Sequence, residues 1–192
     1  HHGSRARVSR AEGPRGRDDR GMATLGPKPG DLLVNEAELE ELWPGLRESR
    51  YRITSERTER YNCFAYAVGR DDVWWSPADS QYYWPESVPR DTTMAAFVTA
   101  YETLGCRRCS SPRLEHGFEK IAIYVAPDGS PTHAAKQLGD GSWTSKLGDL
   151  EDIEHASLVG LAGERYGTPV VYLRRRDPAL GPERWILRLW RL

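Results

Sequence analysis

The chain has 192 residues, of which 39% are hydrophobic and 29% are charged, and its formal net charge is −1 at pH 7. This length and composition are typical of one globular domain and exclude a disordered chain, and no apolar run approaches the roughly 18 residues of a membrane span. The near-neutral charge excludes nucleic-acid binding driven by net charge. Three cysteines and the lack of a secretory signal favour the cytosol over an oxidising compartment.

The two ends of the chain differ from its middle. Residues 1–30 are rich in Arg, Gly and Pro, which predicts a disordered tail, and a folded domain is expected over residues 31–176. Residues 177–192 form a basic extension in which Arg184, Arg188 and Arg191 share one helical face. Such a segment can dock on a membrane surface or on a partner, but it packs more often on its own domain.

Three helices are predicted in the first part of the domain. Asn35 is a plausible N-cap for a short helix that Pro44 ends. A second helix begins at Asn62 or a few residues earlier and stops at Gly69. The third spans residues 91–104, capped by Asp91 or Thr92, because its apolar residues recur at helical spacing. Residues 73–89 (VWWSPADSQYYWPESVP) between the last two form an aromatic loop.

The pattern then changes to that of a sheet. Residues 120–126, 132–138 and 142–147 alternate in the manner of strands, and turns at residues 127–129 and 140–141 separate them. They predict a three-stranded antiparallel meander. Asp149 is expected to cap a helix through Ile153 and Ala156, and residues 170–173 form a fourth strand. The chain is therefore expected to have an α+β fold.

Cys63 is the first residue with candidate chemistry. With Asn62 as N-cap, Cys63 is the first residue of its helix, where unpaired N–H groups and the helix dipole favour an anion. This position predicts a lowered thiol pKa and hence a nucleophilic thiolate. The alternative is that Cys63 is a buried core residue, as lone cysteines on helices often are.

His133 supplies the matching base. It lies near the start of the second meander strand, on the pleat face of Ala135 and Gln137. A cysteine and a histidine that are distant in sequence but adjacent in space form a nucleophile–base pair. Ser145, on the following strand, is the best-placed third member to orient the imidazole, and Asp149 is the alternative.

Several sequence motifs resemble an uncharacterised bacterial and fungal domain related to the NlpC-like branch of the papain-like cysteine peptidase superfamily. The resemblance runs from about Tyr61 to Arg175. The motifs are YNCFAYAVG, WWSP, YYWP, GFEKIAIY, PTHAAKQL, GSWTSKLG, DIEHASL and YGTP. The resemblance implies a papain-like (NlpC-like) fold, with helices packed on a small antiparallel sheet. It also implies that Cys63 is the nucleophile and His133 the base.

A substrate site is expected beside Cys63. The backbone N–H of Cys63 and the side chain of Asn62 are candidate donors to an oxyanion. Aromatic residues of the 73–89 loop are expected to wall a cleft; the alternative is that they hold the loop on the sheet. These residues are Trp74, Trp75, Tyr82, Tyr83 and Trp84.

The sequence thus favours a cysteine hydrolase, amidase or acyltransferase that acts on an amide bond of a peptide, protein or modified side chain. The alternative is a catalytically inactive papain-like module that binds a peptide or protein partner. No cofactor is expected, and nucleic-acid binding through the Arg-rich termini ranks last. Cys106 and Cys109 form a CxxC motif, but with His116 they fall short of the four ligands of a zinc site. His155 is expected on a helix surface or as a cap, or as a partner behind the site.

Overall fold

A computed structural model describes residues 29–179, with side chains described from residue 35 onward. The helices are α1 (Pro29–Leu42), α2 (Cys63–Tyr66) and α3 (Met94–Glu102), with short 3-10 helices at Pro44–Leu46 and Leu158–Leu161. The strands are β1 (Tyr51–Ile53), β2 (Arg107–Cys109), β3 (Phe118–Val125), β4 (Pro131–Gln137), β5 (Trp143–Lys146), β6 (Asp152–His155) and β7 (Thr168–Arg176). No helix in this range is long and apolar enough to cross a membrane.

The seven strands form one antiparallel sheet in the order β1-β6-β5-β4-β3-β7-β2. Strand β4 lies at its centre, and it pairs with β3 from Pro131 onward but with β5 only over Ala135–Gln137. The first half of β4, which contains His133, therefore has a strand partner on one side only. This one-sided pairing leaves the other side of that stretch open to contact from α2.

The sheet is buried on both faces. Residues alternate across a strand, so Ile121 and Ile123 of β3 face one apolar cluster while Ala122 and Tyr124 face the other. The first cluster contains α2, α3 and the buried part of the 73–89 loop. The second contains α1 and the two 3-10 helices. Because both sides are covered, residues 121–125 of β3 are all apolar, as in other buried strands.

The predicted strands of the meander are confirmed, and they belong to a larger sheet. Strands β1 and β2 were not predicted because segments of three residues carry little periodicity. Strand β7 is longer than predicted and reaches from Thr168 to Arg176. The coarse expectation of an α+β chain is thereby confirmed.

Three predictions about helices need correction. Helix α1 begins at Pro29, so Asn35 lies inside it and is not its cap. Helix α3 is shorter than predicted: its N-cap is Thr93, whose hydroxyl accepts a hydrogen bond from the Ala96 amide at 3.3 Å. Asp91 instead accepts from the Thr93 amide at 2.6 Å, one turn before the helix.

The helix predicted after Asp149 is wrong. Residues 152–155 form strand β6, paired on one side with β5 and on the other with β1. The acidic residues of this segment resemble a helix N-terminus, but pairing with the neighbouring strand β5 and with the sequence-distant strand β1 decides its structure. His155 is therefore a buried strand residue and not part of a helix surface.

Candidate functional site

Cys63 lies where the sequence predicts, at the first position of α2. Asn62 is the N-cap, and its side-chain oxygen accepts a hydrogen bond from the Ala65 amide at 3.3 Å. The helix start is closely covered, because Cys63 is only 6% exposed.

Asn62 joins α2 to the aromatic loop through both the nitrogen and the oxygen of its side-chain amide. Its Nδ2 donates to the Trp75 carbonyl at 2.7 Å, and its Oδ1 also accepts from the Trp75 amide at 3.2 Å. Both ends of the side chain are occupied within the protein. Asn62 therefore holds the position of Cys63, and its role as an oxyanion donor stays a prediction.

The thiol of Cys63 is protonated at neutral pH. Burial raises its pKa to about 12, although the backbone amides of Ala134, Phe64 and Cys63 and the charge of Lys146 oppose the rise. The predicted lowering of this pKa is wrong, because the loss of hydration disfavours the thiolate more than the helix start favours it. A nucleophilic Cys63 consequently needs a base close to its sulfur.

His133 is fully buried in β4 between two aromatic rings. The Tyr166 ring stacks on the imidazole at a centroid distance of 4.2 Å and an angle of 7°, and Tyr124 contacts it edge-on at 5.2 Å. Burial, and secondarily the charge of a protonated His155, hold the pKa of His133 well below its ordinary value of 6.5. The imidazole is therefore neutral at pH 7 and can accept a proton.

The two nitrogens of His133 have different surroundings. Its Nε2 lies 3.0 Å from the Ser145 hydroxyl, whereas its Nδ1 is buried and has no hydrogen-bond partner among the described residues. The sulfur of Cys63 lies against the backbone amide of Ala134, the next residue along β4. Cys63 thus lies beside the stretch of β4 that contains His133, but Cys63 packs in the first apolar cluster, whereas the rings that contact His133 belong to the second. No hydrogen bond joins the two side chains among the described residues.

Of the two candidate third members, Ser145 contacts the imidazole and Asp149 does not. Ser145 is buried on β5, and Asp149 is exposed in the turn that follows. A second histidine lies behind Ser145: His155 Nε2 is 2.9 Å from the same hydroxyl. His155 Nδ1 in turn lies 2.8 Å from the Ser157 carbonyl. Burial lowers the pKa of His155 to about 4, so it too is neutral at pH 7.

Lys146 is a buried cation near Cys63 that sequence reasoning missed. Its ammonium group donates to the Leu150 carbonyl, lies 4.0 Å from the Asp152 carboxylate and sits over the Tyr61 ring at 5.2 Å. Its charge acts on Cys63 and favours the thiolate. The one signal in the sequence was a lysine within a strand that is predicted to be part of the sheet, at residues 142–147.

The aromatic loop divides into buried and exposed members. Trp75 and Trp84 are 2% and 4% exposed and pack on Tyr101 and Phe97 of α3, so they hold the loop on the domain. This burial fits the alternative role, in which the two rings hold the loop in place, and their role as walls of a cleft stays a prediction. Three aromatic side chains remain accessible at the surface: Trp74, Tyr82 and Tyr83.

Three of the surface cavities formed by the described residues are lined by neither Cys63 nor His133. Their volumes are about 540, 320 and 570 Å³, and they lie beside β2 and β7, beside β1 and β6, and beside the end of α1. Because Cys63 is only 6% exposed and His133 is fully buried, a substrate reaches the thiol only if covering residues move. Cys106 is buried and Cys109 half-buried, both as free thiols. Within the described range no group of three metal-ligating side chains comes together.

Residues 52–174 match a family described as a domain of unknown function (DUF7689). No curated protein and no solved structure matches the chain. Because the family match covers more than half of the chain, the chain belongs to this family.

Proposed function

We propose that this member of the family is a cysteine hydrolase, amidase or acyltransferase that cleaves an amide bond with Cys63 and His133. One observation carries the proposal: His133, whose buried Nδ1 has no partner among the described residues, directly precedes Ala134, whose backbone amide contacts the Cys63 sulfur. An unpartnered buried acceptor costs about 1–3 kcal/mol, which is a reason to look for a use. The papain-like resemblance of the motifs supports the same assignment.

The reaction begins from a neutral pair. As the Cys63 sulfur forms a bond to the substrate carbonyl carbon, its proton passes to His133 Nδ1. The oxyanion of the tetrahedral intermediate accepts a hydrogen bond from the backbone N–H of Cys63 at the start of α2. The C–N bond then breaks, and the leaving amine takes the proton back from His133. Water resolves the thioester in a hydrolase, and a second amine resolves it in an acyltransferase.

Burial of the pair determines the form of this mechanism. Burial raises the pKa of Cys63 to about 12, so the attacking group at neutral pH is a thiol that loses its proton during the attack. A positioned general base contributes about 10²–10⁴ to the rate of such a step. His133 is therefore essential to the reaction and does not merely improve a thiolate that already exists.

Acylation by an activated acetyl ester tests the proposal without knowledge of the substrate. At pH 7 the ester should label Cys63, identified by mass spectrometry, and His133→Gln should slow the labelling about 10²–10⁴-fold. Cys109→Ser serves as the control, because Cys109 is the more accessible of the other two thiols. Equal labelling of Cys63 in the wild type and in His133→Gln would refute the pair.

A second candidate function is that of an inactive module that binds a peptide or protein partner. It is favoured by the 6% exposure of Cys63 and by the three accessible aromatic residues of the 73–89 loop. In this case Cys63 resists acylation in every variant, and the protein binds an immobilised library of short peptides. A Trp74→Ala substitution should abolish that binding and leave the fold intact.

A further inference from the structure

A continuous chain of hydrogen bonds extends from His133 into the sheet. It runs from His133 Nε2 to the Ser145 hydroxyl (3.0 Å), from there to His155 Nε2 (2.9 Å), and from His155 Nδ1 to the Ser157 carbonyl (2.8 Å). His133, Ser145 and His155 are each at most 1% exposed. Water therefore does not compete for these bonds, and each link constrains the next.

The Ser157 carbonyl, at the end of this series of hydrogen bonds, determines the direction of each of them. A carbonyl oxygen only accepts, so His155 Nδ1 must carry a proton and donate to Ser157. In a neutral imidazole the other nitrogen is then an acceptor, so His155 Nε2 accepts from the Ser145 hydroxyl. Because the Ser145 hydroxyl donates its only proton to His155, its oxygen must accept a hydrogen bond from His133 Nε2. The proton of the neutral His133 ring is therefore on Nε2. The lone pair of His133 is left on Nδ1.

We propose that His155 is a positioning residue that holds His133 in the tautomer with a free Nδ1, and that it acts through the hydroxyl of Ser145. The role in catalysis rests on the proposed function, because the free Nδ1 is the atom that receives the Cys63 proton. The direction of the hydrogen bonds itself does not depend on that function.

The reverse direction shows why an acceptor at position 155 matters. Without an acceptor there, the Ser145 hydroxyl turns its proton toward His133 Nε2, the other acceptor in its reach. His133 then carries its proton on Nδ1 and can no longer take one from a thiol. A substitution at His155, which does not contact His133 directly, thus moves the free lone pair of His133 from Nδ1 to Nε2.

Nitrogen-15 NMR of the imidazole rings tests the inference on the intact, unmodified protein. Two-bond correlations from the ring carbon-bound protons distinguish a protonated from an unprotonated nitrogen. The spectra of His116→Gln and of the His133 and His155 variants assign the signals. At pH 7 His133 should be protonated at Nε2 and unprotonated at Nδ1, and His155 should show the opposite tautomer. A proton on His133 Nδ1 would overturn the inference.

Two variants then test whether His155 is the cause. His155→Phe removes the acceptor and should shift the His133 proton to Nδ1, while His155→Gln keeps a side-chain oxygen that accepts from Ser145 and should restore the wild-type tautomer. If His155→Phe is folded but His133 stays protonated at Nε2, His155 does not set the tautomer. If His155→Phe does not fold, the wild-type spectrum still shows which group donates in each hydrogen bond between His133 and Ser157.

The acylation assay separates this inference from the proposed function. Where the predicted tautomer is found and Cys63 is not acylated, the hydrogen-bond chain stands and the enzyme proposal fails. Where Cys63 is acylated but His133 carries its proton on Nδ1, Cys63 is a nucleophile, but the role of His155 and the transfer of the thiol proton to Nδ1 both fail. If Cys63 reacts with His133 as its base and His155 sets the His133 tautomer, His155→Phe should lower the acylation rate to that of His133→Gln.

Discussion

The ring of Tyr166 lies nearly parallel to the imidazole of His133, with 4.2 Å between the centroids and 7° between the planes. The stack covers one face of the base and is one reason why His133 is wholly buried and neutral. Tyr166 also contacts Trp43 and Tyr124, so the imidazole is enclosed by an aromatic group on the α1 side of the sheet.

Removal of this cover should change the protonation of His133. Tyr166→Ala exposes the imidazole to water and should raise the pKa of His133 toward its ordinary value of 6.5, because loss of hydration is the main cause that lowers it. Tyr166→Phe keeps the stacked ring and serves as the control. An NMR titration of the His133 ring protons measures the change, and an equally low pKa in Tyr166→Ala would show that Tyr166 does not enclose the base.

Gly167 is needed for the placement of Tyr166. Its backbone has a φ of +72°, and a Cβ atom there would lie 1.9 Å from the Val125 carbonyl oxygen. Gly167→Ala should therefore lower the free energy of unfolding by more than the roughly 1–2 kcal/mol that a left-handed backbone costs a residue with a Cβ. Gly139→Ala is the matched control, since nothing lies within 4 Å of a Cβ at that position. Urea titrations compare the two, and equal midpoints would contradict the prediction.

The buried histidines should make the fold sensitive to acid. Between pH 6.5 and about 4 the unfolded chain binds a proton at His155 that the folded chain does not bind. The free energy of unfolding therefore falls as the pH falls through this range, by about 3 kcal/mol for this residue alone. His133 acts in the same direction.

Urea titrations at pH 7 and pH 4.5 measure this loss. In His155→Gln the loss between the two pH values should be smaller than in the wild type, because a glutamine does not titrate. A loss that is unchanged in His155→Gln would mean that another group determines the acid sensitivity.

The tryptophans of the aromatic loop should differ sharply in their effects on stability. Trp84 packs on Phe97 with 5.0 Å between the ring centroids, and Trp84→Ala should cost about 3–5 kcal/mol of stability. Trp74 lies at the surface beside Tyr82, and Trp74→Ala should cost far less. Thermal unfolding followed by circular dichroism compares the two variants. Similar losses would contradict the division of the loop into buried and exposed members.

Local features of the site could be predicted from the sequence. The start of α2 at Cys63 follows from an N-cap asparagine, and strands β3, β4 and β5 follow from their period and from the turns between them. Since β4 and β5 are joined by a short turn, their register is confined, and this places Ser145 across from Ala135, close to His133. The catalytic roles of Cys63, His133 and Ser145 stay predictions.

Features that depend on distant parts of the chain were missed. The segment Asp152–His155 has the composition of a helix start, and only its pairing with β1 and β5 makes it a strand and turns His155 toward Ser145. The thiol pKa was predicted in the wrong direction because burial, which the sequence does not reveal at a single position, outweighs the effect of the helix start. The contact of Tyr166 with His133 likewise arises from residues that are far apart in sequence.

The pH dependence of Cys63 acylation shows whether His133 takes the proton of a neutral thiol. If His133 takes the proton of a neutral thiol, the rate should be constant from about pH 7 to pH 10, because both groups keep their protonation states over that range. In His133→Gln the rate should instead increase about tenfold per pH unit, as the thiolate fraction of a thiol with a pKa of about 12 does. A wild-type rate that also rises tenfold per pH unit would contradict the account and leave Cys63 as a buried thiol without a base.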